Sequence, residues 1–357
     1  MIPVEWVMFL SASGYSQAAQ DMVLALDESG EFDVRIVPFG PWKHPESASL
    51  GRRHKLASLQ KKKQDKSAVQ VFHCIPPLHS RVPKLDLSLG YGTFEAINPP
   101  DRWIESLKVH RAVICPSEFN IRQFENSGLP CYKIPHIIDT DVFSDDKQGI
   151  EGRDSYTFLY FGTWSRRKGW PSLVEAFLRE FEDCDAKLVI KTDDVETAKR
   201  DVSKIAMEAG KDKSSILFEK RVFNELTLPK FFASVDCLVF PTLGEGFGLP
   251  PVQCLSVGTP VIGTKWSGCL DYMSEDVAKC LLPEGKISYR NIDKISQFFN
   301  SSWAYISVGS IQRAMRFAYE NADEMKERAL RGRKMVKEKF SKNVAINAFK
   351  KIVEEIK

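Results

Sequence analysis

No apolar run in this chain approaches the ~20 residues needed to cross a bilayer. The first apolar stretch, Val4 to Leu10, contains Glu5 and lacks a basic leader, so it reads as an opening strand and not a signal peptide. The eight cysteines form no C-x-x-C pair and keep no regular spacing. Cys115, Cys237, Cys254 and Cys280 sit inside apolar runs and read as small core residues, which points to a reducing, cytosolic compartment. A net charge of +3 is too small to argue for nucleic acid. Internal repeats and low-complexity tracts are absent. No G-x-G-x-x-G follows the first strand, and Val37-Pro38 stands where an acid would end the second. Both absences speak against a nicotinamide-dependent oxidoreductase.

With 357 residues, 43% of them hydrophobic and 27% charged, the chain suits two globular domains of about 150 residues each. Apolar runs alternate with helical patterns throughout, which predicts an α/β fold of two parallel, doubly wound sheets. The polar segment Asp145 to Asp154, with Gly149 and Gly152, is the expected linker between residues 1–148 and 154–340. A separate terminal helix is expected over 341–357.

In the first half, Val7-Met8-Phe9-Leu10 is a strand followed by a small-residue loop containing Gly14, then a helix from Gln17 to Leu26 with Ser16 as its cap. The loop amides at Gly14 could approach a phosphate, and a plain strand-to-helix turn is the alternative. Val69-Gln70-Val71-Phe72 is a strand ending at His73. Carboxyl ends of parallel strands face the ligand crevice, so His73 is a candidate functional residue, with a satisfied structural histidine as the alternative. Between Arg52 and Lys66 runs R-R-H-K-L-A-S-L-Q-K-K-K-Q-D-K. It could meet an anionic acceptor or an acidic membrane surface, and a solvated helix face is the plainer reading.

In the second half, Phe158-Leu159-Tyr160-Phe161 is a buried strand ending at Gly162, and Arg166-Arg167-Lys168 follow before a helix from Ser172 to Phe181. Three consecutive cations partly repel unless an anion sits among them, and they could clamp a diphosphate, with a solvated turn as the alternative. A run from Ile311 to Lys339 is amphipathic and charged. The stretch from Phe240 to Gly258 reads F-P-T-L-G-E-G-F-G-L-P-P-V-Q-C-L-S-V-G. It predicts a strand, a glycine-rich loop holding Glu245, and a short helix opened by two prolines and closed by Gly258. A helix N-terminus facing such a loop favours anions.

The element E-G-F-G-L-P-P-V-Q-C-L-S-V-G-T-P-V-I, preceded by V-F-P-T, resembles the donor motif of glycosyltransferase family 4, whose members are retaining enzymes of the GT-B fold. F-L-Y-F-G-T-W-S-R-R-K-G-W is similar to the family's diphosphate loop, and V-F-H-C-I-P-P, G-T-F-E, C-P-S-E-F-N and I-P-H-I-I-D follow in the order of its first-domain signatures. The resemblance implies two Rossmann-like domains facing a cleft, with the terminal helix crossing back to the first. It further implies that Glu245 contacts the donor sugar hydroxyls, helped by backbone amides at Gly246, Phe247, Gly248 and Leu249. Lys168 and Arg167 would hold the diphosphate, with Arg166 in support, and residues around Val222 would line the base pocket. Gly14 would approach the phosphates, and His73 would lie near the transferred sugar and the acceptor.

Two positions depart from the family pattern: Gln253 stands at the second acid, and Thr163 at the arginine that often follows the loop glycine. Gln253 keeps an acceptor oxygen without the charge. A charge-assisted hydrogen bond contributes about 1.5–3 kcal/mol against about 0.5–1.5 for a neutral one, so either donor affinity is about tenfold lower or the ribose is held differently. Taken together, the resemblance implies metal-independent, retaining transfer of a hexose from a UDP- or GDP-sugar to a hydroxyl of a glycan, lipid or other acceptor, with no cofactor or metal site. Two alternatives stay open: a weak or inactive sugar-nucleotide-binding module, marked by Gln253 and Thr163, and a transferase acting on nucleic acid through the basic stretch.

Overall fold

A computed structural model of the chain describes residues 1–144, 155–182, 185–288 and 301–357. The expected linker, Asp145 to Asp154, lies outside the described residues. Compact units divide the chain as Met1–Asp139 with Phe223–Leu226 and Glu338–Lys357, and as Thr140–Val222 with Thr227–Lys337.

The first unit opens with β1 (Ile2–Met8), α1 (Gly14–Glu28), β2 (Phe32–Pro38), α2 (Leu50–Gln60) and β3 (Val69–His73). It continues through β4 (Ser88–Tyr91), α3 (Asp101–Leu107), β5 (Ala112–Cys115), α4 (Glu118–Phe124) and β6 (Cys131–Lys133). Its six strands pair in parallel in the order β2-β1-β3-β4-β5-β6. A parallel sheet covered on both faces needs apolar residues on both, and β1 supplies them. Val4, Trp6 and Met8 join the main core on one face, while Val7 packs with Phe72 and Cys74 on the other.

In the second unit the elements are β7 (Tyr156–Phe161), α5 (Trp170–Glu180), β8 (Ala186–Lys191), α6 (Val195–Ala209), β9 (Ile216–Glu219), α7 (Leu228–Ala233) and β10 (Cys237–Phe240). After them come α8 (Leu249–Ser256), β11 (Val261–Thr264), β12 (Lys279–Leu281), β13 (Gly285–Ser288), β14 (Ser302–Tyr305), α9 (Val308–Glu320) and α10 (Ala322–Lys339). Its parallel sheet runs β12-β11-β10-β7-β8-β9. Strand order therefore reverses between β7 and β10. A reversal of this kind opens a crevice at the carboxyl ends of the two strands, where ligands bind in such sheets. In the first unit the equivalent reversal lies between β1 and β3.

Four local expectations change. The cap of α1 is Ser13, whose side chain accepts the Ser16 N–H; Ser16 is buried, and its hydroxyl donates to the Phe9 carbonyl at 2.6 Å. The helix after the cationic loop starts at Trp170, because Gly169 in the left-handed region supplies the turn ahead of it. The run from Ile311 to Lys339 is two helices broken at Asn321. An antiparallel hairpin, β13 with β14, adds to the parallel sheets. The final helix, α11 (Lys342–Ile356), packs on the core of the first unit, with Phe349 fully buried 5.7 Å from Trp6 and 5.5 Å from Phe32.

Candidate active site

The apolar strand β7 ends at Phe161, and its chain turns through Gly162 into a tight helical turn at Arg166–Lys168. Ser165 caps that turn by accepting the Arg167 N–H at 3.3 Å. Gly169 closes it at φ 76°, and a Cβ there would come within 2.0 Å of the Pro241 carbonyl oxygen. Only glycine fits that approach. Leu243 donates its N–H to the Arg167 carbonyl at 2.7 Å. The loops that follow β7 and β10 are thus stitched together across the point where the strand order reverses.

Glu245 lies between them, 6% exposed. Lys168 Nζ is 2.6 Å from its Oε1, and Arg167 is 3.3 Å from its Oε2. Arg167 also donates to the Gly244 carbonyl, and the Thr242 hydroxyl donates to Glu245 Oε1 at 2.7 Å. Burial pushes the Glu245 carboxyl up, but Lys168 and Arg167 pull it down harder, leaving it below its ordinary value. The anion that the three cations require is therefore the chain's own glutamate. The trio does not act as one: Arg167 and Lys168 face Glu245, while Arg166 is exposed.

Gly248, at φ 88°, is the cap of α8, and Leu249 is its first residue. Proline occupies the next two positions, 250 and 251. A helix N-terminus ordinarily leaves four N–H groups without intrahelical partners. Proline has no N–H, so of these four positions only Gly248 and Leu249 carry one. Cationic side chains must accordingly meet most of any diphosphate charge here. Gln253, one turn further along α8, is buried. Val222 is 56% exposed beyond β9, which the sheet order separates from β10 by two strands.

Four residues shape this loop, and all but Thr242, which belongs to the V-F-P-T motif, go unremarked in the sequence. Besides Thr242, they are Ser267, whose Oγ accepts the Glu245 N–H at 2.9 Å, and Gly268, whose N–H donates to the Glu245 carbonyl at 3.0 Å. The fourth, Tyr272, places its hydroxyl 2.9 Å from the carbonyls of both Phe247 and Gly248. No pattern marks these last three, because W-S-G-C carries no charge and no periodicity.

In the first unit Gly14 is the first residue of α1, directly after the Ser13 cap. His73 ends β3, is 2% exposed, stacks on Tyr91 at 3.7 Å and meets the Tyr15 ring edge-on at 4.7 Å. Neither ring nitrogen has a hydrogen-bond partner among the described residues, and the same holds for the Trp6 indole and the Tyr15 hydroxyl nearby. Burial, with His136 adding to it, holds His73 well below the ordinary imidazole value, so the ring is neutral at pH 7.

Part of the basic stretch is paired within the chain. Arg52 donates to Asp21 at 2.8 Å, and Lys55 and Lys62 both meet Asp27, at 2.6 and 3.0 Å. Among the described residues, no group of three or more His, Cys, Asp or Glu is placed to hold a metal ion, and no helix is long and apolar enough to cross a membrane.

Residues 155–300 match the family model for Glycosyl transferases group 1. That segment lies mostly within the second unit. Over 52 residues the chain is 42% identical to the O-antigen chain mannosyltransferase RfbU of Salmonella typhimurium, covering 15% of this chain and 14% of that one. The chain spans less than a third of the length of the curated relatives it matches, 14% and 31% for the two of them. Whole-length likeness is found among solved structures. Sucrose-phosphate synthase from Thermosynechococcus elongatus has a TM-score of 0.72 at 13% identity, covering 100% of this chain and 99% of that one. Anabaena HepE, solved in complex with UDP-glucose, has a TM-score of 0.69 at 11% identity, covering 99% and 100%. These likenesses identify the fold as GT-B.

Proposed function

We propose that the chain is a retaining, metal-independent glycosyltransferase that moves a hexose from a UDP- or GDP-sugar to a hydroxyl of a glycan, lipid-linked or other acceptor. The observation that carries this reading is Glu245 held between Lys168 and Arg167 where the strand order of the second unit reverses. A carboxylate there accepts hydrogen bonds from sugar hydroxyls, and two cations beside it meet a diphosphate. The relatives agree in kind: RfbU is called a mannosyltransferase, and HepE was solved with UDP-glucose.

In this reaction the bond between the anomeric carbon and the diphosphate oxygen breaks, and the nucleoside diphosphate leaves with the electron pair. Lys168, Arg167 and the N–H groups at Gly248 and Leu249 stabilise the growing charge. The acceptor oxygen bonds to the anomeric carbon from the face the phosphate leaves, and its proton passes to the departing phosphate oxygen. Gly246 and Phe247 supply backbone to the sugar, Gln253 accepts from the ribose, and Val222 borders the base. The seven described cysteines are all free thiols, in keeping with a reducing cytoplasmic setting.

A thermal-shift screen against UDP, GDP, ADP and their sugar conjugates tests the donor, because a ligand that binds only the folded state raises its melting point. A hit followed by transfer insensitive to EDTA supports the reading. Activity that vanishes in EDTA and returns with Mg²⁺ would remove metal independence. Binding without transfer or donor hydrolysis would leave a sugar-nucleotide-binding module.

A further inference from the structure

The loop from Gly244 to Gly248 holds the proposed sugar-reading acid, and it is gripped by the short helical segment Ser267–Asp271 and by Tyr272 beyond it. Ser267 Oγ accepts the Glu245 N–H at 2.9 Å, and Gly268 returns its own N–H to the Glu245 carbonyl at 3.0 Å. The two backbones lie so close that a Cβ on Gly268 would reach within 2.1 Å of the Gly246 carbonyl oxygen. Tyr272 then fastens the far end through the Phe247 and Gly248 carbonyls.

Ser267 makes this contact from an unfavourable conformation. Its φ is 53°, a value shared among the described non-glycine residues only by His44 and Asn98. Asparagine and histidine visit that region more readily than most residues, whereas a serine there is strained. The side chain is fully buried, so exposure to water does not compensate it. Glycine would satisfy the backbone without strain but could not bond Glu245. Strain of this kind persists where the surroundings over-determine it, which is common beside functional groups.

We propose that Ser267 is a positioning residue: it fixes the backbone of Glu245 so that the carboxylate meets sugar hydroxyls in one register, and thereby sets both turnover and sugar discrimination. The proposal rests on the transferase reading for its activity arm. A structural arm stands free of that reading.

Two variants separate the roles. Ser267→Gly removes the hydroxyl and the strain together, whereas Ser267→Ala removes the hydroxyl and keeps the strain. Both should fold, with Ser267→Gly at least as stable as Ser267→Ala. Hydrogen exchange of the amides in residues 243–248 should quicken about tenfold in both, the worth of one hydrogen bond. With the nucleotide sugar that wild type uses, kcat should fall about tenfold in both. The preference between sugar epimers should narrow, and the Kd for the free nucleoside diphosphate should stay within about threefold, since Arg167 and Lys168 are untouched. Unchanged exchange in 243–248 overturns the proposal whether or not the chain proves to be a transferase. Activity that follows stability, with Ser267→Gly at wild-type rate, also overturns it. A wild type that neither binds nor turns over any nucleotide sugar defeats the transferase reading and, if exchange still quickens, leaves Ser267 as an anchor of the loop alone.

Discussion

Lys168 Nζ and Glu245 Oε1 lie 2.6 Å apart, and Arg167 meets the other oxygen of the same carboxylate. On the proposed reading, a bound diphosphate would compete with this acid for the same two cations. Neutralising the acid should free them. Glu245→Gln is expected to bind inorganic pyrophosphate about tenfold more tightly than wild type, about 1.4 kcal/mol, while transfer falls at least a hundredfold. Lys168→Ala should weaken pyrophosphate binding and transfer together. Calorimetric titration of both variants checks this, and pyrophosphate affinity that drops in Glu245→Gln contradicts the competition.

Gly169 lets the cationic loop pass against Pro241. A methyl group there would sit 2.0 Å from the Pro241 carbonyl oxygen, on a residue whose φ is already positive. Gly169→Ala should destabilise the fold by more than about 1 kcal/mol and displace Arg167 and Lys168. Urea unfolding measures the first effect and nucleotide binding the second. A variant with wild-type stability would mean that the loop can retreat from Pro241 at little cost.

The first unit has a built-in acid sensitivity. His79 Nε2 faces the Cys74 carbonyl at 2.9 Å, and a carbonyl only accepts, so this nitrogen carries the proton. His79 Nδ1 must then accept from His110 Nε2 at 2.8 Å, and His110 Nδ1 accepts from the Ser88 hydroxyl at 3.0 Å. Every position is filled with both rings neutral. Burial pushes His79 down to about 4 and, with His79 and Lys84 adding, His110 down to about 3. An unfolded histidine titrates near 6.5, so between that value and about 4 the unfolded chain binds more protons than the folded one. Stability should be complete above pH 7 and fall steadily as pH drops from 6.5 toward 4. At pH 5 the loss should be of order 2 kcal/mol for each ring. Melting points measured across that range check it, and a flat profile would contradict the neutral network.

Much of this architecture is legible in the sequence because parallel strands buried on both faces leave continuous apolar runs. Phe158 to Phe161 and Cys237 to Phe240 both read that way, and both are central strands. The pairing of Lys168 with Glu245 was not legible. The two residues are 77 positions apart, and only the strand order brings β7 beside β10. Ser13 and Ser16 illustrate a local miss, since both are capping types and the hydrogen-bond geometry alone decides between them. Ser267 left no signal, because a strained serine looks like any other. In the basic stretch, the sequence could not show that Arg52 and Lys62 are matched by Asp21 and Asp27 from α1.

Gln253 offers the last test, on a residue where this chain departs from the pattern it resembles. It is 7% exposed on α8, four residues beyond Leu249. A carboxylate at this position would accept from ribose hydroxyls with a charge-assisted bond. Gln253→Glu should accordingly raise affinity for the nucleoside diphosphate about tenfold, the difference between a charged and a neutral acceptor. Burial opposes a new charge and raises the pKa of the introduced acid, so the gain should be larger at pH 8 than at pH 6. It should also vanish with a 2′,3′-dideoxy nucleotide, which lacks the hydroxyls in question. A folded variant whose affinity is unchanged or lower, or whose gain survives in the dideoxy nucleotide, would place the ribose away from Gln253.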